Sequence, residues 1–126
     1  MVIVDTSIII DHLRQPDDKL THLRKLANKY PQKNLTISII TIQELYEGKS
    51  IKDEVRHKKL INTISLFKIL SYTYEVAKLA GEIARDSISR LDLADAAIAA
   101  TAIINKASFA TLNKKDFQGI KDLEFV

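Results

Sequence analysis

Four acidic residues, Asp5, Glu44, Asp95 and Asp116, stand where strands are expected to end or helices to begin. Asp5 closes the apolar run Val2-Ile3-Val4. Glu44 falls in the first turn of the helix expected after the run Leu35 to Ile39. Asp95 opens an Ala-rich stretch, and Asp116 follows the run Ala107 to Thr111 after a short turn. In a parallel sheet, strand C-terminal ends and the helices that follow share one edge, where ligands bind. Four acids far apart in sequence would then meet in one cleft. Carboxylates a few ångströms apart repel, and some would have to take up protons at neutral pH. A divalent cation removes that cost. All-oxygen ligation selects Mg²⁺ or Mn²⁺ over zinc, and such a site does metal-assisted hydrolysis. His12, His22 and His57 are widely separated and there is no cysteine, so nothing has zinc-ligand spacing.

Each acid also has a structural reading. Asp5 could cap the helix that follows it. Thr41-Ile-Gln-Glu44 is the pattern of a capping box, in which the Glu bonds back to the cap residue; that role and a place in the site are compatible. Asp92 and Asp95 sit three apart at a helix start, where negative charge suits the helix dipole. Asp92 is the better N-cap, and we assign it that role. Asp116 in Asn113-Lys-Lys-Asp116 could be a turn residue.

The elements that must position these residues alternate between short β-rich runs and helical stretches, which predicts an α/β domain around a parallel sheet. Strands are expected at Val2 to Asp5, Leu35 to Ile39, Phe67 to Leu70 and Ala107 to Thr111. Leu123 to Val126 is a short fifth at most. Helices are expected over Ser7 to Arg14 and Asp17 to Tyr30, the latter with Leu20, Leu23 and Leu26 on one stripe. Others are expected from Thr41 to near Gly48, over Asp53 to Leu66, and from Thr73 to Asp86. In the fourth, Val55, Leu60, Ile61 and Ile64 should face inward; in the fifth, Val76, Leu79, Ala80 and Ile83. Leu93 to Ile104 is Ala and Ile almost all round beyond Asp95, so this helix should be buried.

With 126 residues, 46% apolar and 28% charged, the chain fits one ordered domain over residues 1–126. Nineteen Lys and Arg face sixteen Asp and Glu, a mild bias toward a polyanionic partner. The start Met1-Val-Ile-Val is too short for a signal peptide and has no basic leader. No apolar run approaches the ~18 residues of a membrane span. With no cysteine, a reducing cytoplasm is the expected location.

The ordered set Val4-Asp5-Thr-Ser7, Thr41-Ile-Gln-Glu44-Leu, Leu93-Ala-Asp95-Ala-Ala-Ile-Ala-Ala-Thr-Ala and Thr111-Leu-Asn113-Lys-Lys-Asp116-Phe resembles the PIN-domain nucleases, and within them the VapC-like toxins of toxin–antitoxin modules. The resemblance spans essentially the whole chain, and its third and fourth segments are the most specific. It implies a three-layer α/β/α fold with a central parallel sheet of four to five strands. It also implies a Mg²⁺- or Mn²⁺-dependent endoribonuclease acting on a structured RNA such as tRNA, a homodimeric assembly, and inhibition by a VapB-like antitoxin. By position, Asp5, Glu44, Asp95 and Asp116 match the family's acidic quartet, with Asp5, Asp95 and Asp116 holding metal. Ser7, Thr111 and Asn113 match supporting polar positions. One departure is the loop Ser87 to Asp92, which lacks the Gly that relatives often carry there.

Other readings fit less well. A haloacid-dehalogenase phosphatase needs a second Asp where Ser7 stands, and a receiver domain needs an acidic pair where Val and Ile precede Asp5. A catalytically inactive RNA- or protein-binding module on the same fold is the alternative, and the intact quartet argues against it. Aromatic residues make up only 6% of the chain, which disfavours base recognition on an aromatic sheet surface.

Overall fold

The structure, a computed structural model, describes residues 1–88 and 91–126. Four strands form one parallel sheet: β1 (Val2–Val4), β2 (Leu35–Ser38), β3 (Lys68–Leu70) and β4 (Ser108–Ala110), in the order β3-β2-β1-β4. β1 is central and apolar along its whole length, as a strand covered on both faces requires. The chain steps from β1 to β2 to β3 on one flank, then returns to place β4 on the other. The direction of winding therefore reverses at β1, and the C-terminal ends of β1 and β4 flank the crevice that such a reversal opens.

Helices α1 (Thr6–Arg14), α2 (His22–Lys29), α3 (Ile39–Glu47) and α4 (Glu54–Ile64) supply Ile8, Ile9, Leu23, Leu26, Leu45 and Leu60 to a core with Val2, Val4, Leu35 and Ile37. The alternate residue of β1, Ile3, packs on the opposite face with Ile98, Ala99 and Ala102 of α6 (Leu93–Ile104) and Phe117 of α7 (Lys114–Phe117). Phe109 of β4 is fully buried there, edge-on to Phe117 with ring centroids 4.8 Å apart. Outside α6 lies α5 (Tyr74–Asp86), whose Val76 and Ala80 pack with Ala96 and Ala100. The small Ala side chains let helices α3 and α5 and strands β1 and β4 close on α6, and every residue from Ala96 to Ala102 is buried. This is the three-layer arrangement expected.

Four strands lie within the four to five expected, and of the possible fifth, Leu123 to Val126, only Phe125 makes an isolated bridge, to Phe109. Several details differ from expectation. α2 starts at His22, because Pro16 to Lys19 form a turn and the Thr21 hydroxyl caps the Arg24 N–H. Leu20 therefore precedes the helix and is 55% exposed. α3 begins at Ile39, capped by Ser38, whose hydroxyl accepts from the Ile40 N–H. The capping box at Thr41 does not form, and Glu44 lies in the second turn. In α4 the buried stripe passes through Leu60 and Ile64, leaving Val55 78% and Ile61 50% exposed. Val55 lies five residues before Leu60, about 140° round the helix, which turns it away from the core.

Candidate active site

Asp5 follows β1 directly. Its backbone N–H donates to the Ala110 carbonyl at 2.8 Å, extending the β1–β4 ladder to the mouth of the crevice. Although Asp5 occupies the N-cap position of α1, its side chain makes no cap hydrogen bond. Its Oδ2 instead accepts from the Ser7 hydroxyl at 2.7 Å and from the Thr111 hydroxyl at 2.7 Å. The structural reading of Asp5 as a cap is thereby set aside. Each hydroxyl has one proton, and both are used on the carboxylate. Ser7 Oγ and Thr111 Oγ1 then accept from the Leu112 and Asn113 N–H groups at 3.3 and 3.0 Å. Asp5 is only 3% exposed, and among the described residues its Oδ1 accepts no hydrogen bond.

Glu44 reaches the same region from α3, where the buried Thr6 hydroxyl lies 2.6 Å from its Oε1 and 3.0 Å from Thr41 Oγ1. Asp95 sits on the first turn of α6, below its cap Asp92, whose Oδ1 accepts the Asp95 N–H at 2.7 Å. Asp92 thus has the capping role assigned to it. Asp116 lies exposed in α7, in the segment that follows Thr111.

These acids act on one another. Burial, with the negative charges of Asp92, Asp5, Glu44 and Asp116, pushes the Asp95 carboxyl up to about 7. Burial likewise pushes Glu44 up; the Thr6 hydrogen bond pulls it back, and Asp5, Asp92 and Glu47 raise it further. Asp95 and Glu44 therefore both feel the charges of Asp5 and Asp92. Among the described residues no three His, Asp or Glu side chains are arranged so that they could hold a metal ion together as they stand. The donor set nonetheless suits a hard divalent cation, being all oxygen, negatively charged and incompletely hydrogen-bonded.

Two expectations need qualification. Asn113 contributes its backbone N–H to Thr111, and its side chain makes no cap bond. The Gly-free loop expected to matter contains Ser89 and Arg90, which lie outside the described residues. Thr6, which meets both Glu44 and Thr41, was not singled out by sequence, and Thr41 was read there only as a helix cap. Thr6, between Asp5 and Ser7, offered a signal: adjacent residues at a helix start face different neighbours, so Ser7 reaches Asp5 while Thr6 turns to α3.

Residues 2–123 match the family model described as PIN domain. The chain belongs to the PIN domain family. It is 30% identical to Ribonuclease VapC19 of Mycobacterium tuberculosis over 130 residues, covering 98% of each chain. Among solved structures it resembles DNA-bound VapBC from Salmonella typhimurium with a TM-score of 0.82 at 26% identity, covering 99% of this chain and 96% of that one. A toxin–antitoxin complex from Klebsiella pneumoniae gives a TM-score of 0.77 at 25% identity, with 98% and 95% covered. The four-stranded parallel sheet flanked by helices is thus the PIN arrangement. Among the described residues no helix is long and apolar enough to cross a membrane.

Proposed function

We propose that this PIN domain is a divalent-metal-dependent endoribonuclease, the toxin of a cytoplasmic toxin–antitoxin pair, hydrolysing phosphodiester bonds of a structured RNA such as tRNA. The observation that carries the reading is geometric: the Ser7 and Thr111 hydroxyls hold one oxygen of the buried Asp5, its other oxygen accepts no hydrogen bond among the described residues, and burial with neighbouring acids disfavours the Asp95 anion. A cluster that disfavours its own charge is matched to a cation.

Asp5, Asp95 and Asp116 would hold Mg²⁺ or Mn²⁺. When bound, the ion supplies a Lewis acid that lowers the pKa of water and offsets charge developing on the phosphate. The protein's part is positioning. Ser7 and Thr111 fix one oxygen of Asp5 and leave the other available. Thr6 fixes Glu44, which completes the cluster as a ligand or orients the attacking water. Displacement in line with the leaving oxygen yields a 5′-phosphate and a 3′-hydroxyl. A histidine-pair ribonuclease would leave a cyclic phosphate, and His12, His22 and His57 stand on α1, α2 and α4 without a shared site.

The partner would be a VapB-like antitoxin, and the assembly a homodimer. The relatives named as ribonucleases and the solved toxin–antitoxin complexes support this reading. Chelation tests it. EDTA should abolish cleavage of a purified RNA and excess Mg²⁺ or Mn²⁺ should restore it, with products sequenced from their 5′ ends. Full activity after chelation overturns the metal-dependent reading.

A further inference from the structure

Beside the acid cluster, a groove of about 730 Å³ runs between α2 and the segment joining β4 to α7. Its floor is apolar, formed by Ile8, Leu26, Phe109 and Val126. Its two walls are cationic. His22, Lys25 and Lys29 line one wall at spacings of three and four, which puts them on a single face of α2. Lys114 and Lys115 of α7 line the other. None of these four lysines is ion-paired among the described residues. Two are held above aromatic rings: Lys29 Nζ lies 5.3 Å from the Tyr30 centroid and Lys114 Nζ 5.7 Å from that of Phe125. The one acid on the lining is Asp116, and Thr111 and Asp116 belong to both the groove and the acid cluster.

We propose that this groove carries the single-stranded flank of the RNA, with Lys25 and Lys29 on one wall and Lys114 and Lys115 on the other neutralising its phosphates. The inference rests on the nuclease reading and names the positioning residues of that same site. Charge argues for the occupant: four lysines without an ion-pair partner among the described residues, facing the single lining aspartate Asp116, attract a polyanion. The apolar floor argues for a single strand, whose unstacked bases and riboses can lie on it; a duplex hides its bases. Lys25 and Lys29 are separated by about 6 Å along the helix axis, a step on the scale of one nucleotide.

The test uses the full chain carrying Asp5→Asn, so that RNA is bound and not cut, with a fluorescein-labelled single-stranded oligonucleotide read by anisotropy across a KCl series. Adding Lys25→Ala and Lys29→Ala should weaken binding roughly tenfold and reduce the slope of log K against log salt by about 1.4, the loss of two single-strand phosphate contacts. The charge-matched control adds Lys33→Ala, just before β2, and Lys68→Ala, at the start of β3, and should change affinity less than about twofold with the slope unmoved. Equal slopes for the two double variants overturn the groove. An oligoglutamate peptide whose binding is lost in the α2 variant while RNA binding is kept also overturns it, assigning the surface to a protein partner. Without the Asp5 change, the α2 variant should raise KM more than it lowers kcat. If wild type cleaves RNA and the slopes are equal, the groove fails alone. If RNA binds through these lysines and wild type does not cleave, the nuclease reading fails alone.

Discussion

Asp5 stands at the end of β1 and Asp95 on the first turn of α6, and their surroundings are opposite in kind. Asp5 is almost wholly buried, yet two hydroxyls from Ser7 and Thr111 donate to it. Asp95 is only half-buried, has no side-chain donor among the described residues, and feels the charges of Asp92, Asp5, Glu44 and Asp116. Burial and like charge disfavour the Asp95 anion. The β1–β4 half of the site therefore has its carboxylate held in orientation by the protein itself. The α6 half depends on what binds there. A site built this way couples cation binding to one wall while the other wall provides a fixed reference.

The largest consequence concerns the fixed wall. Asp5→Asn removes a charge with little change in volume, and it should lower the single-turnover cleavage rate about 1000-fold at saturating Mg²⁺. That corresponds to the several kcal/mol that metal-assisted charge stabilisation is worth. Cleavage at the wild-type rate would remove Asp5 from the site and leave the comparison without its first member.

A smaller effect is expected where the fixed wall is held. Thr111→Val keeps the shape of the side chain and deletes one donor to a buried carboxylate. The expected cost is about 2 kcal/mol, within the range for hydrogen bonds to charged groups. It would be read as a lower urea midpoint with unchanged slope. Ser7 lies 3.5 Å from Thr111 and also serves Asp5, so a Ser7→Ala/Thr111→Val pair should be non-additive. Strict additivity would mean that the two hydroxyls act independently.

The two walls also differ in how far sequence could reveal them. Asp5 and Asp95 were legible because strand end and helix start are local signals: an apolar run stopping at an acid, and an acid three residues after a good N-cap. Asp92 took the capping role expected of it. The supports were less legible. Thr6 meets Glu44 across 38 residues and Thr41 across 35, contacts that no local pattern encodes. The start of α3 was misplaced for a related reason. Ser38 and Thr41 are both acceptable caps, and the choice of Ser38 follows from where β2 pairing with β3 ends, at Ser38 opposite Leu70. Val55 and Ile61 were apolar at near-helical spacing but on the wrong side of the stripe fixed by Leu60 and Ile64. Periodicity gives a face, and packing decides which face is used.

The smallest expected effect tests the other wall. In the folded protein the Asp95 carboxyl is raised to about 7 from an ordinary 3.8, so the folded state holds this proton more tightly than the unfolded chain does. The stabilisation from that tighter binding is fully present below about 3.8 and is lost as pH rises through about 7. Asp95→Asn removes the titration and keeps the backbone N–H that Asp92 caps. In metal-free buffer the variant should therefore match wild type near pH 4 and melt above it at pH 8. Solvent screening at a half-buried carboxylate leaves on the order of 1 kcal/mol, which is a rise of about 4 °C. Saturating Mg²⁺ should reverse the order at pH 8, because linkage stabilises only the chain that binds the ion. A difference in Tm that is the same at pH 4 and pH 8 would show that the charge on Asp95 is not what the crowded wall resists.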